Sequence, residues 1–284
     1  MSTATLAVHT VKSKDGTRIA YDALGSGPVV VLVGGALNHR GFGPNVGLAP
    51  LLAPHFTVIS YDRRGRGDSG GESARSIARE CEDLDAVIRQ CGQPAAVYGI
   101  SSGGALVLEA AKRGVSIDKL AVFEVPFVVD STSRPPIPRD WIAQMEQLVA
   151  ENRRGDAVAY FMTKGVNLPS ALVVLMRLMP AWKKLKALAH TIPDDARLLG
   201  NHAFGAPLAK SEWEGLVMPK LVIDGGKSPA WTRTAMVELA QALDAEHTTL
   251  PGQMHIVKPA AIAPPLIEFF SRPPKSSDHS VVTT

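Results

Sequence analysis

The chain has 284 residues, which is long enough to bury a large apolar core and favours one core domain with an insertion over two independent domains. Its composition, 45% hydrophobic and 20% charged, excludes a chain that is disordered throughout. The formal net charge is +3, and the Lys and Arg residues are spread thinly rather than concentrated on one predicted helix face. This distribution argues against nucleic-acid binding and against binding to an anionic membrane.

The chain shows no signal for secretion or membrane insertion. Its first residues lack a basic segment followed by a long apolar run, so no signal peptide is predicted. No stretch reaches the roughly 18 consecutive apolar residues of a membrane-spanning helix. The two cysteines, Cys81 and Cys91, fall in one predicted helix about 15 Å apart, which excludes a disulfide between them. Unpaired thiols favour a reducing compartment, so a cytoplasmic location is expected.

Short β-branched apolar runs alternate with helical patterns through most of the chain, which predicts a largely parallel sheet with helices on both faces. The first two strands are joined by Lys14-Asp15-Gly16, a hairpin signal. The predicted strands, in chain order, are Leu6–Lys12, Arg18–Ala23, Val29–Val33, Thr57–Tyr61, Ala95–Tyr98, Leu120–Phe123, Lys220–Ile223 and Thr248–Leu250. The predicted helices between and after them include Ser76–Gln90, Gly104–Arg113, Trp231–Leu243 and Pro259–Phe270.

One interval of about ninety residues shows no strand pattern, and its apolar residues recur at helical spacing. We interpret this interval, Pro126–Val217, as a helical cap inserted after the sixth strand, because connections inside compact domains are usually short. The alternative is a set of extra outer helices. The core then comprises residues 1–125 and 218–270. The tail Ser271–Thr284 is rich in Ser, Pro and Lys and is predicted to be disordered.

A short buried strand runs directly into Gly99-Ile100-Ser101-Ser102-Gly103, which a helical pattern follows. The G-x-S-x-G sequence also arises by chance in Gly/Ser-rich turns, but a strand–turn–helix context is typical of a nucleophile elbow. In such an elbow the serine has a positive φ, and glycines two positions away relieve the crowding. Ser101 is therefore the predicted nucleophile, and the helix N-terminus beneath it favours a developing negative charge.

The elbow and three further segments resemble the α/β-hydrolase family, particularly its small cap-bearing members related to bacterial esterases and cofactor-free haloperoxidases. Val29–Ala36 is similar to the family's strand and oxyanion loop, with Gly34 where histidine is usual. Tyr61–Ser69 is similar to its Y-D-R-R-G-R-G-D-S run, and Gly252–His255 resembles the loop that carries its catalytic histidine. The resemblance covers residues from about 5 to 270. It implies an α/β-hydrolase fold with an eight-stranded, mostly parallel sheet whose second strand is antiparallel.

The basic run Arg63–Arg66 invites a phosphate-binding interpretation. Asp62 and Asp68 neutralise much of its charge, and phosphate sites normally converge on a helix N-terminus. We therefore interpret the run as a structural loop, as the resemblance implies.

The resemblance also implies the oxyanion hole and the catalytic base, but it does not extend to the triad acid. The oxyanion hole would consist of the backbone N–H groups of Ala36 and Ser102, since acyl transfer needs two donors aimed at the developing negative charge. His255 is the predicted base because it follows the last strand, where the chain order Ser–acid–His requires it. The other seven histidines lack a motif context. Those in the cap show no metal-ligand spacing, so neither a metal nor another cofactor is expected.

The triad acid is the group for which the sequence departs from the family pattern. The acid usually lies a few residues beyond the next-to-last strand, where this chain has Ser228. Glu124, at the end of the strand before the cap, is the preferred replacement, because some family members carry their acid there and the longer side chain adds reach. Asp224, Asp130 or no acid at all remain alternatives, since triad members are recognised by geometry rather than position.

The leading hypothesis from the sequence is a serine hydrolase that cleaves a small-to-medium apolar ester, thioester or lactone through an acyl–Ser101 intermediate. The Leu, Val and Met content of the cap predicts an apolar roof over the pocket. Serine as nucleophile argues against the dehalogenase and epoxide hydrolase relatives, which by resemblance use aspartate. Two alternatives stay open: cyclisation, lyase or C–C cleavage chemistry on the same scaffold, and a non-catalytic ligand receptor.

Overall fold

The computed structural model describes residues 8–71, 75–92, 94–130, 132 and 134–273. Within them a single eight-stranded sheet runs in the order β1-β2-β4-β3-β5-β6-β7-β8. Its second strand is antiparallel to both neighbours, and β3 to β8 are parallel, which confirms the predicted fold class. The strands are β1 His9–Lys12, β2 Arg18–Leu24, β3 Val29–Val33, β4 Thr57–Tyr61, β5 Ala95–Ile100, β6 Lys119–Phe123, β7 Lys220–Gly225 and β8 Glu246–Leu250.

The helices cover both faces of this sheet. Along β3, Val30 and Leu32 face a core cluster that includes α1 and α10, whereas Val31 and Val33 face one that includes α2, α3 and α9. This alternation is the period of two that a strand buried on both faces requires. The helices are α1 Asn45–Leu52, α2 Ile77–Cys91, α3 Ser102–Lys112, α4 Trp141–Ala150, α5 Arg154–Tyr160, α6 Ser170–Met176, α7 Ala181–Leu188, α8 Ile192–Arg197, α9 Ala230–Leu243 and α10 Pro259–Ser271.

Five helices, α4 to α8, lie between β6 and β7, and the described residues from 124 to 219 contain no strand. We call residues 126–217 the helical insertion. Trp141 and Met145 of α4, together with Ile192 of α8, are buried in the same cluster as the core helices α2 and α3. The insertion therefore shares a hydrophobic core with one face of the sheet. None of the helices in the described ranges is long and apolar enough to cross a membrane.

The two ends of the chain differ in detail from the predicted elements. The first strand begins at His9, and the first two residues predicted for it lie outside the described part. At the other end α10 includes Ser271, and Arg272 forms ion pairs with Glu246 and Glu268 that hold this segment against the domain. The rest of the predicted disordered tail, from 274 to 284, lies outside the described residues.

Both cysteines are free thiols in α2. Burial raises the pKa of Cys81 to about 12 and that of Cys91 to about 11. Because the thiolate is the reactive form, neither side chain is a nucleophile near neutral pH.

Candidate active site

The register of three neighbouring parallel strands brings the predicted nucleophile and two of the candidate acids to one edge of the sheet. Ile100 of β5 pairs with Phe123 of β6, which in turn pairs with Ile223 of β7. The next residues along these strands are Ser101, Glu124 and Asp224. Residues at the carboxyl ends of parallel strands lie at a common edge, which is where ligands bind in open α/β sheets.

Ser101 forms the tight turn between β5 and α3, with φ +57° and ψ −130°. Its amide donates a hydrogen bond of 2.9 Å to the carbonyl oxygen of Phe123. A Cβ atom at Gly99 would lie 2.7 Å from the Gly103 carbonyl oxygen, and one at Gly103 would lie 2.5 Å from that of Val33. This crowding accounts for both glycines, and the positive φ of the serine is the strained conformation that the elbow motif predicts.

Glu124 and His255 form a hydrogen-bonded pair beside this turn. The Nδ1 atom of His255 lies 2.9 Å from Oε2 of Glu124. Glu124 is 1% exposed and has φ +44°, directly after β6, whereas the His255 side chain is 46% exposed. A carboxylate on Nδ1 fixes the tautomer of the ring and leaves Nε2 for proton exchange. The structure thus brings together the predicted base and the preferred acid.

Ser228 supports this pair, a role that the sequence analysis did not assign to it. Oε1 of Glu124 accepts hydrogen bonds from the backbone N–H of Gly225, at 2.8 Å, and from the Ser228 hydroxyl. Two donors on one carboxylate oxygen hold the other oxygen towards His255. The position where the family carries its acid therefore provides a donor to a carboxylate located on the neighbouring strand.

Neither alternative acid contacts His255. Asp224 still belongs to β7 and is 1% exposed, and its Oδ1 atom lies 3.7 Å from Nε2 of His247 on β8. Because Asp224 still lies within the strand, its side chain points to one face of the sheet and does not reach the loops beyond the strand ends. Asp130 is exposed and accepts hydrogen bonds from Thr132.

The predicted oxyanion loop packs directly against the nucleophile. A Cβ atom at Gly35 would lie 2.9 Å from Cβ of Ser101, so only glycine allows this approach. The next residue, Ala36, lines the same cavity as Ser101 and Ser102. Ser102 is the first residue of α3, so its N–H is one of those that a helix leaves without an intrahelical acceptor.

A buried carboxylate of the insertion, Asp195 on α8, reaches this region and was not among the residues that the sequence pointed to. It is 2% exposed and accepts hydrogen bonds from Arg63 Nη1 at 2.7 Å, Arg66 Nη2 at 2.7 Å and Ser102 Oγ at 2.8 Å. Burial by itself raises the pKa of a carboxyl group, but the charges of Arg66 and Arg63 outweigh it and hold the pKa of Asp195 below its ordinary value.

The basic run is paired with buried carboxylates. Arg63 donates two hydrogen bonds to Glu80, at 2.6 and 2.8 Å, in addition to its bond with Asp195. Arg64 donates to both carboxylate oxygens of Asp83, at 2.7 and 2.6 Å. These contacts support the interpretation of the run as a structural loop.

The catalytic candidates line one cavity of about 190 Å³. Its polar lining consists of Ser101, Ser102, Glu124, Asp195, Thr232 and His255. The core and the insertion both contribute its apolar walls, which include Trp141, Phe161, Val166, Leu168, Leu199 and Trp231. In the part of the chain that the structure describes, no group of three or more His, Cys, Asp or Glu side chains is arranged to hold a metal ion.

A sequence model of the alpha/beta hydrolase family matches residues 29–264, so the chain belongs to this family, as the resemblance implied. The match spans the sheet from β3 onwards, the helical insertion and the segment that carries His255.

The chain is also similar to individual proteins. An alpha/beta hydrolase from Sphaerobacter thermophilus is 50% identical, with a TM-score of 0.85 over 93% of this chain and 100% of its own. A thermophilic esterase from Thermogutta terrifontis has the same fold, with a TM-score of 0.69 at 18% identity over 93% of this chain and 98% of its own. A probable oxidoreductase, EphD, from Mycobacterium tuberculosis is 33% identical over 154 residues. That match covers 48% of this chain, which spans 26% of the length of this relative.

Proposed function

We propose that the protein is a serine hydrolase that cleaves a small-to-medium apolar ester, thioester or lactone through an acyl–Ser101 intermediate. The observation that carries the proposal is the 2.9 Å contact between Glu124 and His255 in the cavity that also contains the strained Ser101. A nucleophile, a base and an orienting carboxylate are the three parts that activation of a serine hydroxyl needs.

The reaction follows from the roles of these groups. His255 Nε2 accepts the proton of the Ser101 hydroxyl as Oγ attacks the substrate carbonyl carbon. Glu124 stabilises the imidazolium that results, and the N–H groups of Ala36 and Ser102 stabilise the oxyanion. The imidazolium then protonates the leaving group, which departs and leaves the acyl–enzyme. Water, deprotonated by the same imidazole, hydrolyses the acyl–enzyme and restores Ser101.

The cavity supports the substrate class. A volume of about 190 Å³ lies below the roughly 300–1,000 Å³ of pockets for drug-sized ligands, which favours a small acyl group. Its walls are mostly aromatic and aliphatic side chains, which favours an apolar one. The free thiols in α2 favour a reducing compartment, and we extend the proposal to a cytoplasmic enzyme.

Lyase, cyclisation or C–C cleavage chemistry on this scaffold would be favoured if the base lacked a carboxylate partner. Because Glu124 lies 2.9 Å from His255 Nδ1, such a partner is available, and no specific observation favours non-hydrolytic chemistry over acyl transfer.

A panel of p-nitrophenyl esters graded by acyl length tests the proposal. We expect the kcat/KM of the wild type to peak at a short or medium acyl chain, and Ser101→Ala to lower kcat by about 10⁴-fold or more. The thermal midpoint of Ser101→Ala should stay close to that of the wild type, because the change removes one oxygen atom and adds no volume. Retention of turnover by Ser101→Ala on an accepted ester would contradict acyl transfer, and tight ligand binding without turnover in the wild type would indicate a receptor.

A further inference from the structure

We propose that Asp195, on helix α8 of the insertion, is a positioning residue that orients both donors of the oxyanion hole. The inference rests on the proposed serine hydrolase function. It assigns to the insertion a part in transition-state stabilisation, beyond forming the wall of the cavity.

The first arm of the network runs through Ser102. The Ser102 hydroxyl donates a hydrogen bond of 2.8 Å to Oδ1 of Asp195, and both residues are buried. This bond ties the first residue of α3 to α8. Ser102 also carries one of the two proposed oxyanion donors, its N–H, which has no acceptor among the described residues. A fixed Ser102 side chain therefore limits the directions that this N–H can take.

The second arm runs through Arg66 to the oxyanion loop. Nη2 of Arg66 donates to Oδ2 of Asp195 at 2.7 Å, and its Nη1 donates to the carbonyl oxygen of Gly35 at 2.7 Å. The carbonyl of Gly35 and the N–H of Ala36 belong to one planar trans peptide group and point in opposite directions. Because Arg66 holds the Gly35 carbonyl, the Ala36 N–H points away from the Arg66 guanidinium. This N–H belongs to the loop that packs against Ser101.

Arg63 is the third donor to Asp195. Its Nη1 donates to Oδ1 of Asp195 at 2.7 Å and lies 3.3 Å from the carbonyl oxygen of Gly34. Asp195 is thus the shared acceptor of two arginines that hold successive carbonyls of the oxyanion loop, and of the serine that follows the nucleophile. Donors that are fixed before the reaction stabilise an oxyanion without a reorganisation cost, which is why their orientation affects rate more than substrate binding.

The adjacent carboxylate provides a matched control. Asp194 also lies on α8, but it accepts hydrogen bonds from Arg75 Nε at 2.6 Å and from Arg197 Nη1 at 2.7 Å. Asp194 does not line the cavity with Ser101, whereas Asp195 does. A change at Asp194 therefore perturbs the docking of the helix, and a change at Asp195 perturbs the docking and the oxyanion loop together.

The experiment compares Asp195→Asn, Asp194→Asn and Ser102→Ala with the wild type on an accepted p-nitrophenyl ester, with an alkylboronic acid as a tetrahedral analogue. We expect Asp195→Asn to lower kcat by about 10- to 100-fold, below the loss for complete removal of a donor, with KM changed less than about threefold. Its affinity for the boronic acid should fall by a similar factor. Asp194→Asn should retain kcat and boronic acid affinity within about threefold.

The proposed function and the positioning role can fail separately. Absence of wild-type turnover on every ester of the graded panel would overturn the proposed function itself. Wild-type turnover with an undiminished kcat in Asp195→Asn, or with an equal loss in Asp194→Asn, would overturn the positioning role alone. If Asp195→Asn does not fold, Ser102→Ala decides, since it removes one neutral hydroxyl. A fall of kcat and boronic acid affinity at constant KM in Ser102→Ala supports the role, and unchanged values contradict it.

Discussion

At the scale of single residues, the proposed triad acid follows a different strand from the one after which the family usually carries it, whereas the proposed base keeps the usual position. Glu124 follows β6 and reaches His255, and Ser228 after β7 now donates to the other oxygen of the same carboxylate. The two positions are therefore adjacent in space. Motif position alone could not decide between Glu124 and Asp224, because each follows a paired residue near the carboxyl end of one of two neighbouring strands.

Because the two positions are adjacent, we expect that a carboxylate introduced in place of Ser228 can take over the role of the Glu124 carboxylate. Glu124→Ala should lower kcat by about 10³- to 10⁴-fold, because the imidazolium loses its carboxylate. The double variant Glu124→Ala/Ser228→Asp should recover at least about tenfold of that loss, since its new carboxylate lies in the space that Glu124 vacates. Steady-state kinetics on one ester measures both effects.

Ser228→Ala and Asp224→Asn serve as controls for this exchange. Ser228→Ala removes a single hydrogen bond to Glu124 and should cost much less than Glu124→Ala. If Asp224→Asn instead abolishes turnover while Glu124→Ala retains it, the assignment of the acid is wrong.

At the scale of secondary-structure elements, the site depends on how closely β3, β5 and α3 approach one another. The elbow between β5 and α3 leaves no space for a side chain at Gly103, where a Cβ atom would lie 2.5 Å from the Val33 carbonyl oxygen and 2.7 Å from that of Gly34. Both neighbours are backbone atoms of the strand that leads into the oxyanion loop. Packing of α3 and alignment of this loop are thus set by the same contact.

We therefore expect Gly103→Ala to destabilise the protein by about 1–3 kcal/mol, the usual cost of forcing extra volume into a packed interior. The displaced β3 loop should also lower kcat. Gly215→Ala is the matched control, because a Cβ atom there meets nothing within 4 Å, and its effect should stay within about 0.5 kcal/mol. Urea denaturation of both variants measures the difference. Equal stability of the two variants would contradict a close approach of α3 to β3.

At the scale of the whole molecule, the sequence was sufficient to locate the strands of the sheet but not to identify the long-range polar contacts. The strands are short apolar runs bounded by turn signals, so their periodicity and spacing predicted all eight, and the elbow and the histidine loop carried local motifs. The bond between Ser102 and Asp195 joins residues 93 positions apart, and that between Arg63 and Asp195 joins residues 132 apart. No periodicity specifies such pairs, because they depend on how the insertion packs over the core.

Ion pairs between the insertion and the core also predict how stability depends on pH. The pKa of Asp195 is lowered in the folded state, so its contribution is fully present above the ordinary carboxyl pKa of about 3.9 and is lost as the pH falls below it. The free-energy difference between the wild type and Asp195→Asn should therefore shrink between pH 5 and pH 3, in urea titrations at each pH.

The stability contribution of Asp194 should change with pH in the opposite direction to that of Asp195. Burial raises its pKa, so its ionised form costs stability, and that cost is relieved as the pH falls through the raised pKa. The wild type should gain stability relative to Asp194→Asn over the same titration. Parallel pH profiles for the two variants would contradict the difference between these adjacent carboxylates.

The most direct test of the catalytic assignment is peptide mapping by mass spectrometry after reaction with a fluorophosphonate. We expect one phosphonyl group, located on Ser101 and absent from Ser101→Ala, while Ser102→Ala still reacts at Ser101. The rate of labelling should fall in His255→Ala, since the imidazole activates the hydroxyl. A wild-type protein that acquires no adduct, or an adduct that persists in Ser101→Ala, would contradict the assignment of Ser101 as the nucleophile.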